Sequence, residues 1–85
     1  MKEENWHLEE GMAESMKLTV SEGQTARYLG SGKSEILGTP ALVALMEAVA
    51  QRIVEQGVPP EYESIGTGIE LRHDAMTPVG AEVEI

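Results

Sequence analysis

The chain has 85 residues, enough for one domain whose core lies near the lower size limit for independent folding. The absence of cysteine excludes a disulfide scaffold, a zinc-thiolate site and a cysteine nucleophile, and it fits a reducing cytoplasm. A formal net charge of -9 and six scattered basic residues oppose binding to nucleic acid or anionic lipid, because neutralising phosphates needs clustered cations. With no apolar stretch of membrane-spanning length, the sequence predicts a cytoplasmic protein with neither a nucleic-acid nor a membrane partner.

The first third of the chain predicts one strand and one helical turn. Between Gly11 and Val20, apolar residues fall mostly on alternate positions, as in a half-buried strand. Residues 24–29 suit a short helical turn closed by a glycine. The Gly/Ser-rich loop over 30–34 resembles the end of a phosphate-binding P-loop. That motif requires glycine where Arg27 stands and a helix directly after the loop, so a flexible loop near a pocket is favoured over nucleotide hydrolysis.

Thr39 and the proline after it predict the start of a long helix, with Thr39 as the N-cap and the proline at the first helical position. The helix should extend to about Gln56, since Gly57 and two further prolines stop it. The run 41–50 is apolar on nearly every side, so we expect a buried helix.

Glu47 is the one charged residue in that apolar run. Burying an unpaired carboxylate costs several kcal/mol or forces it to stay protonated. Either a backbone group or a buried water bonds to Glu47, or the carboxylate has a chemical task. The spacing alone leaves both interpretations open.

Two more strands are predicted after the helix. In the first, Ser64–His73, His73 shares one face with apolar residues, whereas Gly66 lies on the opposite face. Residues 77–80 predict a turn, and a third strand begins at about residue 79 and breaks off at Ile85. The order predicts a single α+β domain over 1–85, with a long helix packed on one face of an antiparallel sheet truncated after the third strand.

His73, Thr39 and Glu47 form the candidate catalytic set. A satisfied core histidine is the simpler interpretation of His73, but a hydroxyl, an imidazole and a carboxylate together are the parts that acyl transfer needs. The helix N-terminus near Thr39 would add donors for a developing oxyanion. Thr39 and Glu47 lie on the order of 12 Å apart along the helix axis, so they cannot touch. Either His73 or a substrate lies between them, or they serve different sites.

Gly66 has two interpretations: close packing of the strand, or a backbone N–H that donates to a carbonyl oxygen. His7 is expected at the surface. No second histidine stands at ligand spacing from His73, so the sequence predicts no metal site.

The chain resembles the hotdog-fold acyl-CoA thioesterases, in particular the subgroup that includes fluoroacetyl-CoA thioesterase. The resemblance covers nearly all of the chain. It is carried by Ala26-Arg27-Tyr28-Leu29-Gly30, Thr39-Pro40-Ala41-Leu42, Leu45-Met46-Glu47, Gly66-Thr67, His73 and Thr77-Pro78-Val79-Gly80.

The resemblance implies a hotdog fold that hydrolyses acyl-CoA thioesters. It implies catalytic roles for Thr39, Glu47 and His73, and carbonyl polarisation by Gly66. His73 would be the base for water or for Thr39, and Glu47 a second base or a nucleophile; which group attacks stays open. CoA would enter as part of the substrate, and no other cofactor is implied.

The resemblance also implies pairing of two subunits, with active sites at their interface, so a homodimer or higher homo-oligomer is expected. Two departures stand out. Family members continue with further strands that this chain lacks, and the chain has no phenylalanine for the aromatic lid associated with fluoroacetyl specialisation. The fluoroacetyl substrate is therefore not implied.

Two other functions are compatible with the sequence. One is a module that binds acyl-CoA or a small hydrophobic ligand without turnover, and the other is a structural remnant completed by a partner chain. Candidate residues for CoA contacts are the scattered cations Arg27, Lys33, Arg52 and Arg72.

Overall fold

The computed structural model describes residues 6–85. The elements in this part of the chain are β1 (Lys17–Thr19), a 3-10 helix (Glu22–Gln24), α1 (Ala26–Leu29), α2 (Thr39–Gly57) and β2 (Glu82–Glu84). The predicted α+β class is confirmed. Within residues 6–85, α2 has 19 residues and is by far the longest element.

Helix α2 begins one residue earlier and ends one residue later than predicted. Its N-cap is Gly38, with φ -77° and ψ 145°, so the prediction of Thr39 as the N-cap is wrong. The shift leaves the Thr39 hydroxyl available for a partner outside the helix. The expectation of a buried helix is also wrong, because only Val49 and Gly57 of α2 are buried. Two three-residue strands are too small to cover a helix of this length.

The sheet described here consists of β1 and β2, which pair antiparallel with Leu18 opposite Val83. Backbone bonds extend the pairing beyond the assigned strands. Met16 and Ile85 exchange two N–H···O bonds of 3.1 and 2.8 Å, and the Val20 N–H donates to the Ala81 carbonyl at 2.9 Å. The first and third predicted strands therefore exist in shortened form.

The predicted strand Ser64–His73 is wrong as an element, because this segment forms no strand in the described part of the chain. The side chains predicted to face inward are half-buried only at the end of the segment. Leu71 and His73 are half-buried there, whereas Ile65 is 75% exposed. A period-two pattern favours a strand only where a neighbouring strand supplies hydrogen bonds. Within residues 6–85 no such neighbour pairs with this segment, which passes along α2 instead.

Residues 36–38 fix the start of α2 relative to the rest of the chain. The Gly38 N–H donates to the Gln24 carbonyl at 2.8 Å, and the Leu37 N–H donates to the Thr77 carbonyl at 2.7 Å. These bonds join the 3-10 helix on one side and the turn before β2 on the other. The first residue of α2 is thereby placed beside the chain that precedes Thr77.

The region around α1 follows its prediction closely. The Thr25 side chain accepts the Tyr28 N–H at the start of α1. Gly30 closes the helix in the left-handed region at φ 76°, a conformation that glycine adopts without steric cost. The predicted helical turn and its glycine stop are confirmed.

The core of the described residues is small. Buried apolar side chains there are Val20, Leu37 and Val49. The chain extends over 56 × 21 × 20 Å with a radius of gyration of 16.0 Å, against about 12 Å for a compact domain of this length. Among residues 6–85, nine large apolar side chains are exposed, so much apolar surface remains uncovered.

Candidate active site

The Thr39 hydroxyl and the His73 imidazole are in direct contact. A hydrogen bond of 2.9 Å joins Thr39 Oγ1 and His73 Nδ1, across 34 residues of sequence. Helix α2 supplies the hydroxyl at its first residue, and the segment before Thr77 supplies the imidazole. Thr39 is exposed and His73 is half-buried, so one side of the pair faces solvent. A neutral imidazole with Nδ1 unprotonated accepts the hydroxyl proton in this geometry.

A cavity of about 240 Å³ opens beside this pair. Thr39 and His73 line it together with Leu37, Gly38 and Met76. Its volume is below the range of about 300–1,000 Å³ typical of small-molecule sites. The cavity can therefore hold a small group beside the hydroxyl and the imidazole.

Glu47 does not occupy the apolar enclosure that the sequence predicts. Its side chain is exposed, because the elements described around α2 leave this face uncovered. Its carboxylate lies against Gly66: a Cβ built on Gly66 would be 3.3 Å from Glu47 Oε2 and 3.5 Å from Glu47 Cδ. The structure thus brings Glu47 and Gly66 together, as it does Thr39 and His73.

The pairs Thr39–His73 and Glu47–Gly66 lie one after the other along α2. The segment from Ser64 runs antiparallel to the helix, with Gly66 at Glu47 and His73 at Thr39. Within residues 6–85, Glu47 makes no hydrogen bond or ion pair to Thr39 or His73. The contacts agree with the predicted separation of Thr39 and Glu47, and they place His73 at the Thr39 end.

One contact along α2 was not predicted. Ser64 Oγ donates a hydrogen bond to Gln51 Oε1, one helical turn beyond Glu47. The available signal was the spacing of Glu47, Gln51 and Glu55, three polar residues four apart on one helix face. The pattern marks the face but does not show which segment crosses it.

Two of the predicted CoA-contacting cations have carboxylate partners. Arg27 lies 3.2 Å from Glu35, and Arg72 lies 3.5 Å from Asp74, with all four side chains largely exposed. Surface pairs of this kind are weak, so they leave both guanidinium groups open to exchange partners.

A larger cavity, of about 560 Å³, is lined by Arg27, a candidate CoA contact, but by none of the residues Thr39, Glu47, Gly66 and His73. It is lined by residues of the 3-10 helix, α1 and the turn before β2, among them Tyr28 and Val79. The larger cavity therefore has the volume of a ligand site, whereas the smaller cavity has the side chains that acyl transfer needs. Of these two cavities, the smaller is the better site candidate, because a hydroxyl and an imidazole converge in it.

The His7 side chain is exposed, as predicted, and the His7 backbone N–H donates to the Gly57 carbonyl at 2.7 Å. Within residues 6–85, no group of three or more His, Asp or Glu side chains could hold a metal ion. In the same range no helix has both the length and the hydropathy to cross a membrane.

The family model described as fluoroacetyl-CoA-specific thioesterase matches residues 20–85. The match includes all four predicted site residues, α2 and β2. Comparisons with curated proteins and with solved structures gave no match.

Proposed function

The chain belongs to the fluoroacetyl-CoA-specific thioesterase family, and from that premise we propose that it hydrolyses acyl-CoA thioesters at Thr39, Glu47, His73 and Gly66. The observation that carries the proposal is the 2.9 Å hydrogen bond between Thr39 Oγ1 and His73 Nδ1. A hydroxyl bonded to an imidazole is the arrangement in which the base can take the proton as the oxygen attacks.

His73 is the general base in this mechanism. It accepts the proton of the Thr39 hydroxyl, or of a water at the same position, as that oxygen bonds to the thioester carbon. The tetrahedral intermediate then expels the CoA thiolate, which receives the proton from the imidazolium. Attack by Thr39 leaves an acyl ester that a water must cleave, whereas attack by water yields the carboxylic acid directly.

Backbone N–H groups stabilise the oxyanion in this proposal. The first turn of α2 has free N–H groups and a partial positive charge beside Thr39. Gly66 and Glu47 lie together further along α2, so in this proposal they act on a substrate that extends from the Thr39–His73 pair toward them. There Gly66 supplies a further N–H, which the absence of a Cβ leaves accessible, and Glu47 acts as a second base that orients or deprotonates a water.

The substrate class follows from the cavity beside Thr39 and His73. A space of about 240 Å³ suits a short acyl group, with the rest of CoA outside it. The chain contains no phenylalanine, so an aromatic lid of that residue type over a fluoroacetyl group is not part of the proposal. CoA is substrate, and the proposed chemistry requires no cofactor.

We further propose a hotdog-type domain with α2 as the central helix, acting in the cytoplasm as a homodimer or higher homo-oligomer. The long helix, the antiparallel strand pair and the family match support this fold. The exposure of Glu47 and of nine large apolar side chains supports a second copy that covers them.

The proposed function is tested by thiol release from short-chain acyl-CoAs. We expect His73→Ala to lower kcat/KM by about 10²- to 10⁴-fold, the usual contribution of a general base, and Glu47→Ala to lower it substantially. His7→Ala is the matched control, because His7 lies at the other end of α2 and should leave the rate unchanged. Equal activity in the wild type and both site variants would contradict the proposal.

The attacking group is identified by comparing Thr39→Ser with Thr39→Ala. If Thr39 attacks, the serine variant retains activity, the alanine variant loses it, and rapid-quench mass spectrometry detects an acylated chain. If water attacks, no acylated chain forms and the alanine variant keeps part of its activity.

A second candidate is an acyl-CoA-binding module without turnover. The exposure of Glu47 favours it, because a solvated carboxylate is poorly held for catalysis. Calorimetry that shows affinity for a CoA ester, together with no thiol release, would support this candidate over hydrolysis.

A further inference from the structure

We propose that Gln51 and Ser64 form a positioning clamp that holds Gly66 against Glu47, an inference that rests on the proposed function. Neither residue reaches the Thr39–His73 pair. Ser64 Oγ donates to Gln51 Oε1, and both side chains are half-buried. Residues 64–73, which run along α2, are called the crossing segment. The bond anchors this segment only two residues before Gly66.

The orientation of the Gln51 amide is fixed from its other side. Gln51 Nε2 donates to Glu55 Oε1 at 3.3 Å. An ionised carboxylate only accepts hydrogen bonds, so the amide nitrogen must face Glu55 and the amide oxygen is left for Ser64. Three side chains thus form a chain of bonds along one face of α2.

The distance from Gln51 to Glu47 along the helix matches the distance from Ser64 to Gly66 along the crossing segment. Gln51 lies one helical turn, about 6 Å, beyond Glu47, and Gly66 lies two residues, about 6.6 Å when extended, beyond Ser64. Anchoring Ser64 at Gln51 therefore sets Gly66 at Glu47, where a Cβ would lie 3.3 Å from Oε2. Without the anchor, a segment that has no strand partner within residues 6–85 could slide along the helix.

The clamp predicts a defect in turnover with little change in substrate binding. Gln51→Leu keeps the side-chain size and removes the acceptor, and Ser64→Ala removes the donor. We expect each variant to lower kcat by about three- to tenfold, the range that one lost hydrogen bond gives, with KM within about twofold. Since the two side chains act as one contact, the double variant should lose no more than either single variant.

Two controls separate positioning from general damage. Ser64→Thr retains the hydroxyl and should keep the wild-type kcat. Gln56→Leu removes a glutamine from the same helix, about 140° around from Gln51, whose Nε2 donates to Glu14 Oε2 at 3.4 Å. It should also leave kcat unchanged.

Limited proteolysis tests the clamp independently of activity. We expect thermolysin, which cleaves before large apolar residues, to cut at Ile65 and Ile69 at least about threefold faster in Gln51→Leu and Ser64→Ala, but not in Gln56→Leu. Unchanged cleavage in these variants, additive losses of kcat in the double variant, or an equal effect of Gln56→Leu would overturn the proposal. If the wild type hydrolyses no acyl-CoA, the proposed function fails while the cleavage result still decides whether the contact holds the segment.

Discussion

At the scale of single residues, two glycines of the crossing segment differ in what surrounds them. A Cβ at Gly66 would lie 3.3 Å from Glu47 Oε2, whereas a Cβ at Gly68 would meet nothing within 4 Å. Both glycines are exposed, and neither has a positive φ. The pair therefore tests the approach to Glu47 without a difference in backbone strain.

We expect Gly66→Ala to lower kcat/KM by about tenfold, because the added methyl displaces the carboxylate and blocks close approach of a carbonyl oxygen. Gly68→Ala should keep the wild-type rate. Both variants should unfold within about 0.5 kcal/mol of the wild type, as exposed substitutions do. Steady-state kinetics and urea unfolding measure the two effects, and equal rates in both variants would separate Gly66 from the chemistry.

The residues of the candidate site could be proposed from the sequence, but the burial of their side chains could not. The sequence pairs a helix start at Thr39 with a histidine at a segment end, and the structure joins them at 2.9 Å. The enclosure of Glu47 could not be predicted from the helix pattern, because burial depends on what covers the helix. An apolar run indicates that cover is needed, and the residues described here do not provide it.

At the scale of elements, the position of Thr39 depends on Gly38, the buried N-cap of α2. A Cβ built on Gly38 would lie 3.0 Å from the Ala26 nitrogen and 3.1 Å from the Ala26 Cα. These are backbone atoms of α1, so they cannot move aside as a flexible side chain can. The close contact explains why glycine stands at this helix start, where a serine or threonine cap is common.

We therefore expect Gly38→Ala to destabilise the fold by about 1–3 kcal/mol, the usual cost of overpacking a tight site. Gly23→Ala is the control, since a Cβ there meets nothing within 4 Å. For a domain of this size each kcal/mol lowers the Tm by about 4–8 °C. A thermal midpoint for Gly38→Ala as high as that of Gly23→Ala would refute the packing argument.

The elements themselves show where sequence patterns suffice. Helix α2 was predictable to within one residue, because its proline and glycine stops act locally. The segment Ser64–His73 carries an equally clear strand pattern and forms no strand within residues 6–85. A strand needs a hydrogen-bonding neighbour from elsewhere, and alternation in one segment does not guarantee it.

At the scale of the whole molecule, the chain exposes more surface than a compact monomer. Its accessible surface is 6667 Å², against about 4,900 Å² expected for a monomer of 9.2 kDa. Part of the excess lies on the unpaired segment, where Ile65 is 75% and Ile69 is 47% exposed. Apolar side chains on a segment with no strand neighbour favour association with a second copy.

We expect sedimentation velocity to show a dimer or higher homo-oligomer at micromolar concentrations. Ile65→Glu should raise the dissociation constant by at least about tenfold, because burying an isoleucine contributes about 1.5–3 kcal/mol. Ala13→Glu is the control, because it adds the same charge at an exposed position that lies outside the crossing segment and is not one of the large exposed apolar side chains, so it should leave association unchanged. A wild type that stays monomeric, or equal weakening by both variants, would show that the crossing segment is not the surface that a second copy covers.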